Sequence, residues 1–277
     1  MGNLTGEYYI NQRKLPHSWC SGCGYGIVLS SVTRSMAALN MTMENSLVVT
    51  GIGCWGKSDD YLATNGLHTT HGRAIAFATG VAINKPVLDV ITLVGDGDGC
   101  TIGGNHLLHA AKRNINMTVI MADNLLYGQT GGQYSAVTPY KAKTQTSQFG
   151  NPEPAMDVCA VVAAAGANYV ARGTAFHINQ LDKLIQKAMR VRGFSFVEVL
   201  SPCPAHFGKK NDFKSAVELM NWIKNLAVPI EAYNKLSDEE KESHLATGTI
   251  IERNNDDFST RYEKIRKEAL SKVGGAK

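Results

Sequence analysis

Short apolar runs rich in β-branched residues alternate with helix-like segments along most of the chain, and few folds accept such a pattern. The strand-like runs are residues 46–51, 91–99, 117–124 and 194–203. The helix-like segments are residues 72–83, 103–114, 157–171 and 178–191. We therefore predict an α/β fold in which helices cover both faces of a parallel sheet. This domain is expected to span residues 1–211, and residues 212–277 are expected to form a polar helical C-terminal extension.

Composition argues against several classes of function. The net charge of +4 comes from dispersed basic residues, so binding to nucleic acid is not expected. No segment of about 18 residues is apolar enough to cross a membrane, and the first residues do not resemble a signal peptide. Six cysteines without an export signal are more typical of thiols or metal ligands than of disulfides. We predict a cytoplasmic protein.

The second strand-like run leads into a glycine-rich turn that carries two aspartates. Gly95, Gly97 and Gly99 alternate with Asp96 and Asp98 here, just before a helix-like segment. Backbone N–H groups at the start of a helix bind phosphate well, but the spacing lacks the third glycine of the GxGxxG dinucleotide motif. Two carboxylates repel a diphosphate unless a cation lies between them. The turn therefore predicts Mg²⁺ bound together with a phosphorylated ligand.

A second polar residue follows at a characteristic distance. Asn124 ends the next strand-like run, 28 positions after Asp96. A GDG turn followed by an asparagine at this distance resembles the thiamine-diphosphate-binding motif. The resemblance implies that Asp96 and Asn124 ligate Mg²⁺ through their side chains and Leu126 through its carbonyl oxygen. It also implies that residues 97–99 approach the diphosphate.

Four of the six cysteines lie in segments that adjoin predicted strands or loops. These are Cys20 and Cys23 in SWCSGCG, Cys54 in TGIGCWG and Cys203 in SPCPAH. Four thiolates suit either a structural Zn²⁺ or an iron–sulfur cluster, and their spacing alone does not choose between the two. Cys100 and Cys159 are interpreted as buried packing residues.

The cysteine distribution and the thiamine motif together resemble the β subunits of 2-oxoacid:ferredoxin oxidoreductases. The resemblance covers about residues 8–210 and includes LHTTHGRAIAFATG, YGQTGGQ and CPAHFGKKN. It implies a [4Fe-4S] cluster held by the four cysteines, CoA as co-substrate and ferredoxin as electron acceptor. It also implies an α subunit, in a dimer of αβ heterodimers, that supplies a glutamate to the thiamine aminopyrimidine. The HGR segment at residues 71–73 is similar to the family branch acting on 2-oxoglutarate or on a broad range of 2-oxoacids, rather than to the pyruvate-selective branch.

Further residues are predicted to complete the cofactor and substrate sites. The predicted catalytic residues are Lys57, His71 and Gln129. His71 is also predicted to contact the cofactor, together with Gly53, Cys54, Tyr127, Gly128 and Thr130. Lys57 is a cation that could pair with an anionic substrate. Gln129 stands where related loops commonly carry an apolar residue, so it bears on substrate choice.

Two other functions share parts of this pattern. A non-redox thiamine-dependent lyase or decarboxylase has the same aspartate-to-asparagine motif but does not need four cysteine ligands. A non-catalytic iron–sulfur electron-transfer or scaffold subunit needs the cysteines but not an intact thiamine motif. Thiamine binding and cluster content distinguish these alternatives from the first prediction.

Overall fold

The computed structural model describes residues 4–274. Its strands are β1 (Ser46–Thr50), β2 (Asn65–His68), β3 (Asp89–Gly95), β4 (Met117–Asp123), β5 (Leu126–Tyr127), β6 (Gln133–Tyr134), β7 (Tyr169–Thr174), β8 (Phe194–Leu200), β9 (Ala227–Pro229) and β10 (Leu245–Glu252). Its α-helices are α1 (Tyr25–Ala38), α2 (Ala74–Asn84), α3 (Gly104–Arg113), α4 (Val158–Ala165), α5 (Ile178–Arg190), α6 (Ala216–Leu226), α7 (Ile230–Tyr233), α8 (Asp238–Lys241) and α9 (Phe258–Gly274). None of the helices in this described range is both long and apolar enough to span a membrane.

Eight strands form one sheet in the order β2-β1-β3-β4-β8-β7-β10-β9. All neighbours are parallel except β7 and β10, which pair antiparallel. The strands β5 and β6 form a separate antiparallel hairpin. Because β1, β2, β3, β4 and β8 run in the same direction, the loops that follow them meet at one edge of the sheet, where ligands of α/β proteins usually bind.

Apolar layers cover both faces of the sheet. On β4, Ile120 and Ala122 pack in the layer formed with α1 and α5, whereas Val119 and Met121 pack in the layer formed with α2, α3 and α4. Every residue of β4 is buried, which explains why its central residues, 119–122, are all apolar instead of alternating with polar ones. The predicted parallel α/β architecture with helices on both faces is confirmed.

Two segments differ from the sequence-based prediction. Residues 157–171 are predicted as helical, but α4 ends at Ala165 because Gly166 adopts a left-handed conformation with a φ of 115°, and β7 follows. The predicted helical extension contains α6 to α9, but it also supplies β9 and β10 to the main sheet. A domain boundary at residue 211 stays a prediction, and the segment beyond it is continuous with the sheet.

A buried ion pair joins the neighbouring strands β7 and β8. Arg172 Nε on β7 lies 2.6 Å from Glu198 Oε2 on β8, and both side chains are about one-twentieth exposed (5% and 4%). Arg172 also donates to the exposed Asp157 carboxylate that caps α4, and the Cys159 thiol donates to Glu198. A pair this well enclosed leaves a buried charge unneutralised if one partner is removed.

We expect Arg172→Met to lower the free energy of unfolding by about 3–5 kcal/mol, because Glu198 would lose its buried counterion. Arg266→Met is the matched control, since Arg266 pairs with Glu263 on the solvent-exposed face of α9. That control should change stability by less than about 1 kcal/mol. Urea denaturation followed by circular dichroism measures both variants, and equal losses would contradict the expectation.

Candidate functional site

A cavity opens at the carboxyl edge of the sheet, between the loops that follow β1, β2, β3 and β4. Its lining consists of Tyr25, Ile52, Gly53, Cys54, Trp55, His71, Gly95, Asp96, Gly97, Asp98, Asn124, Leu126, Tyr127, Gly128, Gln129 and Thr130. Most of the residues predicted from the thiamine motif are thus brought together. Two predicted residues do not line this cavity: Gly99 packs inward toward Val94 and Met121, and Lys57 lines adjacent cavities instead.

Three oxygen ligands predicted for a metal converge in this cavity. One terminal atom of the Asn124 amide lies 3.1 Å from Asp96 Oδ1 and 2.6 Å from the Leu126 carbonyl oxygen. The other terminal atom lies 2.8 Å from the Tyr25 hydroxyl. The amide can lie in either of two orientations. If its nitrogen faces Asp96 and Leu126, the nitrogen donates hydrogen bonds to both of their oxygens. If its oxygen faces them, the oxygens of Asp96, Asn124 and Leu126 form a set of three acceptors close together.

A divalent cation requires the orientation in which the Asn124 oxygen faces Asp96 and Leu126. Mg²⁺ binds oxygens at 2.0–2.1 Å in an octahedron, so neighbouring ligand oxygens lie about 3 Å apart. The separations of 2.6 and 3.1 Å around Asn124 bracket that value. Burial raises the pKa of Asp96 above its usual range, which disfavours the carboxylate unless a positive charge is nearby. The donor set therefore fits Mg²⁺.

A strained backbone residue directs the third oxygen. Leu125 adopts a left-handed conformation with a φ of 69°, which costs a non-glycine residue about 1–2 kcal/mol. Its N–H donates to Asp123 Oδ1 at 2.8 Å, and its carbonyl oxygen accepts from the Thr138 hydroxyl. These bonds hold the turn that brings the Leu126 carbonyl beside Asn124. Strain of this kind clusters at functional sites.

The second aspartate of the turn connects three loops. Asp98 Oδ1 accepts hydrogen bonds from the backbone N–H of Gly72 at 2.7 Å and of Ile52 at 3.3 Å. It also lies 2.5 Å from His71 Nδ1. If this bond is donated by Nδ1–H, the other ring nitrogen of His71 is free to exchange a proton in the cavity. Asp98 therefore orients His71 as well as lining the cavity.

Glycine is required at one position of the turn by a close contact. A Cβ on Gly97 would lie 2.4 Å from the Tyr127 ring. Across the cavity, Gly53 has a φ of 122° and an ideal Cβ there would meet no atom within 4 Å, so its backbone borders open space. The space beside Gly97 is therefore taken by the Tyr127 ring, whereas the open position at Gly53 leaves room for a ligand such as a diphosphate to approach the backbone.

The four predicted cysteine ligands surround a second cavity of about 260 Å³. It is lined by Ser18, Trp19, Cys20, Cys23, Tyr25, Cys54, Lys57, Asn124, Gly128, Gln129, Cys203, Pro204, Ala205 and His206. Burial, together with the smaller effect of the neighbouring thiols, raises the pKa of Cys23 to about 12 and that of Cys54 to about 11. Four thiolates at this place therefore need positive charge among them.

The two cavities share one wall. Tyr25, Cys54, Asn124, Gly128 and Gln129 line both of them. A ligand in one cavity is therefore separated from a ligand in the other only by these side chains. Such closeness permits electron transfer between two bound cofactors.

Sequence reasoning missed Tyr25, Trp55 and Ser135. The rings of Tyr25 and Trp55 lie 5.2 Å apart in an aromatic cluster beneath the shared wall. Ser135 Oγ donates to Asp96 Oδ2 at 2.5 Å. Trp55 follows Cys54 directly in the chain, and Tyr25 lies two positions after Cys23. Their closeness to predicted ligands in the sequence could therefore have indicated that they lie at the site. For Ser135, 39 positions from Asp96, the sequence offers none.

Comparisons with known proteins agree with this geometry. Residues 51–199 match the family described as thiamine pyrophosphate enzyme, C-terminal TPP binding domain. The chain is 40% identical to 2-oxoglutarate synthase subunit KorB of Methanocaldococcus jannaschii, over 93% of this chain and 95% of that protein. It is 48% identical to the subunit of the same name from Archaeoglobus fulgidus, over 73% and 76% of the two chains.

A solved structure shows the same fold. The 2-oxoglutarate:ferredoxin oxidoreductase from Magnetococcus marinus, with 2-oxoglutarate, coenzyme A and succinyl-CoA bound, superposes with a TM-score of 0.86 at 31% identity. The match covers 100% of this chain and 97% of that chain.

Fold and cavity together define a thiamine-pyrophosphate-binding enzyme domain. More narrowly, the chain belongs to the family of 2-oxoacid:ferredoxin oxidoreductase β subunits. The family resemblance drawn from the motifs is confirmed.

Proposed function

We propose that this chain is the β subunit of a CoA-dependent 2-oxoglutarate:ferredoxin oxidoreductase. The reaction converts 2-oxoglutarate and CoA to succinyl-CoA and CO₂, and the released electrons pass to ferredoxin. The observation that carries the proposal is the wall shared by the oxygen-lined cavity and the four-cysteine cavity. A non-redox thiamine decarboxylase has no need for such a pair of neighbouring sites.

In the first cavity we assign Mg²⁺ to Asp96, Asn124 and the Leu126 carbonyl, and residues 95–97 of the turn, which line the cavity, would border the diphosphate. When bound, thiamine diphosphate supplies a nucleophilic carbon that attacks the 2-oxo group and an electron sink for loss of CO₂. His71, held by Asp98, is placed to exchange protons with the bound substrate. Tyr127 and Thr130 border the same space.

In the second cavity we assign one [4Fe-4S] cluster to Cys20, Cys23, Cys54 and Cys203. A single Zn²⁺ would draw four sulfur atoms to about 2.3 Å around one point. The described cysteines instead surround an open volume of about 260 Å³, which supports a cluster over one ion. Cys20 is exposed, so the cluster would lie near the surface that a soluble electron acceptor reaches.

A third cavity supports a dicarboxylic substrate. It adjoins the thiamine cavity through Ile52, Gly53 and Gln129. Its charged and titratable side chains form two pairs: Lys57 faces Asp60, and His68 lies 3.4 Å from Asp59. Lys57 lies 3.8 Å from Asp60, a loose pair in which both side chains are nearly half exposed. Such a pair costs little to break. Lys57 can therefore bind the distal carboxylate of 2-oxoglutarate, which pyruvate lacks.

We expect Lys57→Met to lower kcat/KM for 2-oxoglutarate by about 10- to 100-fold, the equivalent of one hydrogen bond to a charged group. Pyruvate has no second carboxylate, so its kcat/KM should change little. Lys85→Met, at the exposed end of α2, is the matched control. Equal losses for both substrates would place Lys57 outside the specificity site.

The proposed enzyme needs partners. Residues 4–274 contain one thiamine-pyrophosphate-binding domain, at residues 51–199. We infer that an α subunit supplies the glutamate for the aminopyrimidine in a dimer of αβ heterodimers. Ferredoxin is the proposed electron acceptor. We place the complex in the cytoplasm, because thiol ligands of a cluster persist in a reducing compartment.

The proposal is tested with the anaerobically co-expressed αβ complex. Reduction of ferredoxin is measured with CoA and with 2-oxoglutarate, pyruvate or a branched 2-oxoacid as substrate. Fastest reduction with 2-oxoglutarate would support the proposal, and fastest reduction with pyruvate or similar rates with all three would favour the pyruvate-type or broad-range enzymes. Decarboxylation without any reduction would favour a non-redox thiamine enzyme.

A further inference from the structure

We infer that Ser135 and Thr138 are positioning residues that set the geometry of the metal ligands. They follow β6, the second strand of the small hairpin, and neither lines the thiamine cavity. Their hydroxyl groups nevertheless bond to groups on both sides of the proposed ligand set. The inference rests on the proposed Mg²⁺ site.

Ser135 acts on the carboxylate ligand. Its hydroxyl donates to Asp96 Oδ2 at 2.5 Å, and this bond leaves Asp96 Oδ1 directed at the Asn124 amide. Both residues are about 2% exposed, so water does not substitute for the bond. A carboxylate that loses such a partner rotates more freely and must be ordered again when a cation binds.

Thr138 acts on the backbone ligand. Its hydroxyl donates to the carbonyl oxygen of Leu125, the residue in the strained left-handed conformation. The same oxygen of Thr138 accepts from the backbone N–H of Ser135 at 2.9 Å. One hydroxyl therefore holds the turn that presents the Leu126 carbonyl and also fixes the backbone of the residue that orients Asp96.

The two residues thus form one connected unit, the Ser135–Thr138 clamp. It joins Asp96 after β3 to the turn after β4, the two places from which the ligands come. Because both hydroxyls are buried, with Thr138 fully enclosed, each bond keeps its geometry without competition from solvent. Partners of this kind typically contribute 10- to 100-fold to metal affinity.

The test is the binding of Mn²⁺, as a spectroscopic substitute for Mg²⁺, to the αβ complex depleted of metal and supplied with saturating thiamine diphosphate. Electron paramagnetic resonance of free Mn²⁺ gives the affinity. We expect Ser135→Ala and Thr138→Val each to weaken it about 10- to 100-fold. Thr138→Ser, which keeps the hydroxyl and adds no volume, should retain nearly the wild-type affinity.

Thr118→Val is the matched control, because Thr118 is a buried threonine on β4 whose hydroxyl donates to the Ala188 carbonyl, away from the cavity. Its Mn²⁺ affinity should equal that of the wild type. The clamp is wrong if Ser135→Ala and Thr138→Val bind Mn²⁺ normally, if Thr118→Val weakens binding as much, or if Thr138→Ser fails to restore it.

Failure of the proposed function gives a different result. In that case the wild-type complex itself would show no saturable Mn²⁺ binding in the presence of thiamine diphosphate. Both the proposed metal site and the inference about the Ser135–Thr138 clamp would then be wrong. The iron and sulfide content of each variant is measured alongside and should be unchanged, since the clamp does not contact the cysteine cavity. Loss of iron in Thr138→Val would indicate general disruption and would overturn the inference.

Discussion

Asp96→Ala should abolish retention of thiamine diphosphate while the iron–sulfur content of the complex stays intact. Asp96 is the one carboxylate among the three oxygens around the proposed metal, and it is 2% exposed. Groups that only orient a metal ligand typically contribute 10- to 100-fold to metal affinity, so loss of the carboxylate ligand itself should cost at least as much. The apparent affinity for thiamine diphosphate should therefore fall on the order of 100-fold or more, measured by cofactor release after gel filtration.

Asp89→Ala provides the comparison for this variant. Asp89 begins the same strand that Asp96 follows, but it lies at the opposite edge of the sheet and is exposed. Its complex should keep both thiamine diphosphate and activity. If the Asp96→Ala complex retained as much thiamine diphosphate as the Asp89→Ala complex, the metal assignment would be wrong, even if the Asp96→Ala complex were inactive.

Cys54→Ala should remove the cluster and with it the reduction of ferredoxin. Cys54 lines both cavities, and Trp19 Nε1 donates to its backbone carbonyl at 2.6 Å, which fixes the loop independently of the thiol. The loop should therefore persist without the sulfur, and thiamine diphosphate should still bind. We expect iron content and ferredoxin reduction to fall to background, measured by iron analysis and an anaerobic reduction assay.

Cys159→Ala controls for the loss of a thiol as such. Cys159 is fully buried in α4, remote from the cysteine cavity, and bonds to Glu198. Its complex should keep its iron and its activity. Retention of the full iron content by Cys54→Ala would contradict the four-cysteine assignment and leave the second cavity without a function.

The sequence was sufficient for those parts of the site that follow strands directly. Asp96 and Asn124 come after β3 and β4, which are neighbours, so the direction of a parallel sheet brings the two together. Motif spacing then predicted their chemistry. Cys203, after β8, reaches the same edge by the same rule.

Other parts depend on contacts that no local pattern contains. Ser135 reaches Asp96 across 39 positions, and Thr138 reaches Leu125 across 13. Apolar residues rich in Ala and Val continue from α4 past Gly166 into the start of β7, so periodicity does not show where the helix ends. β10 pairs with β7, but it is a short run within a C-terminal region rich in charged residues, which the sequence predicted as helical.

The Asn124 amide allows the ligand set two hydrogen-bonded resting positions. A tyrosine hydroxyl both donates and accepts, so Tyr25 can partner either end of the amide. With a cation, the amide oxygen faces the metal and the nitrogen donates to Tyr25. Without one, half a turn of the amide lets the nitrogen bridge Asp96 and Leu126. A newly made subunit can thus fold before its cofactors arrive, without leaving this buried amide unpaired.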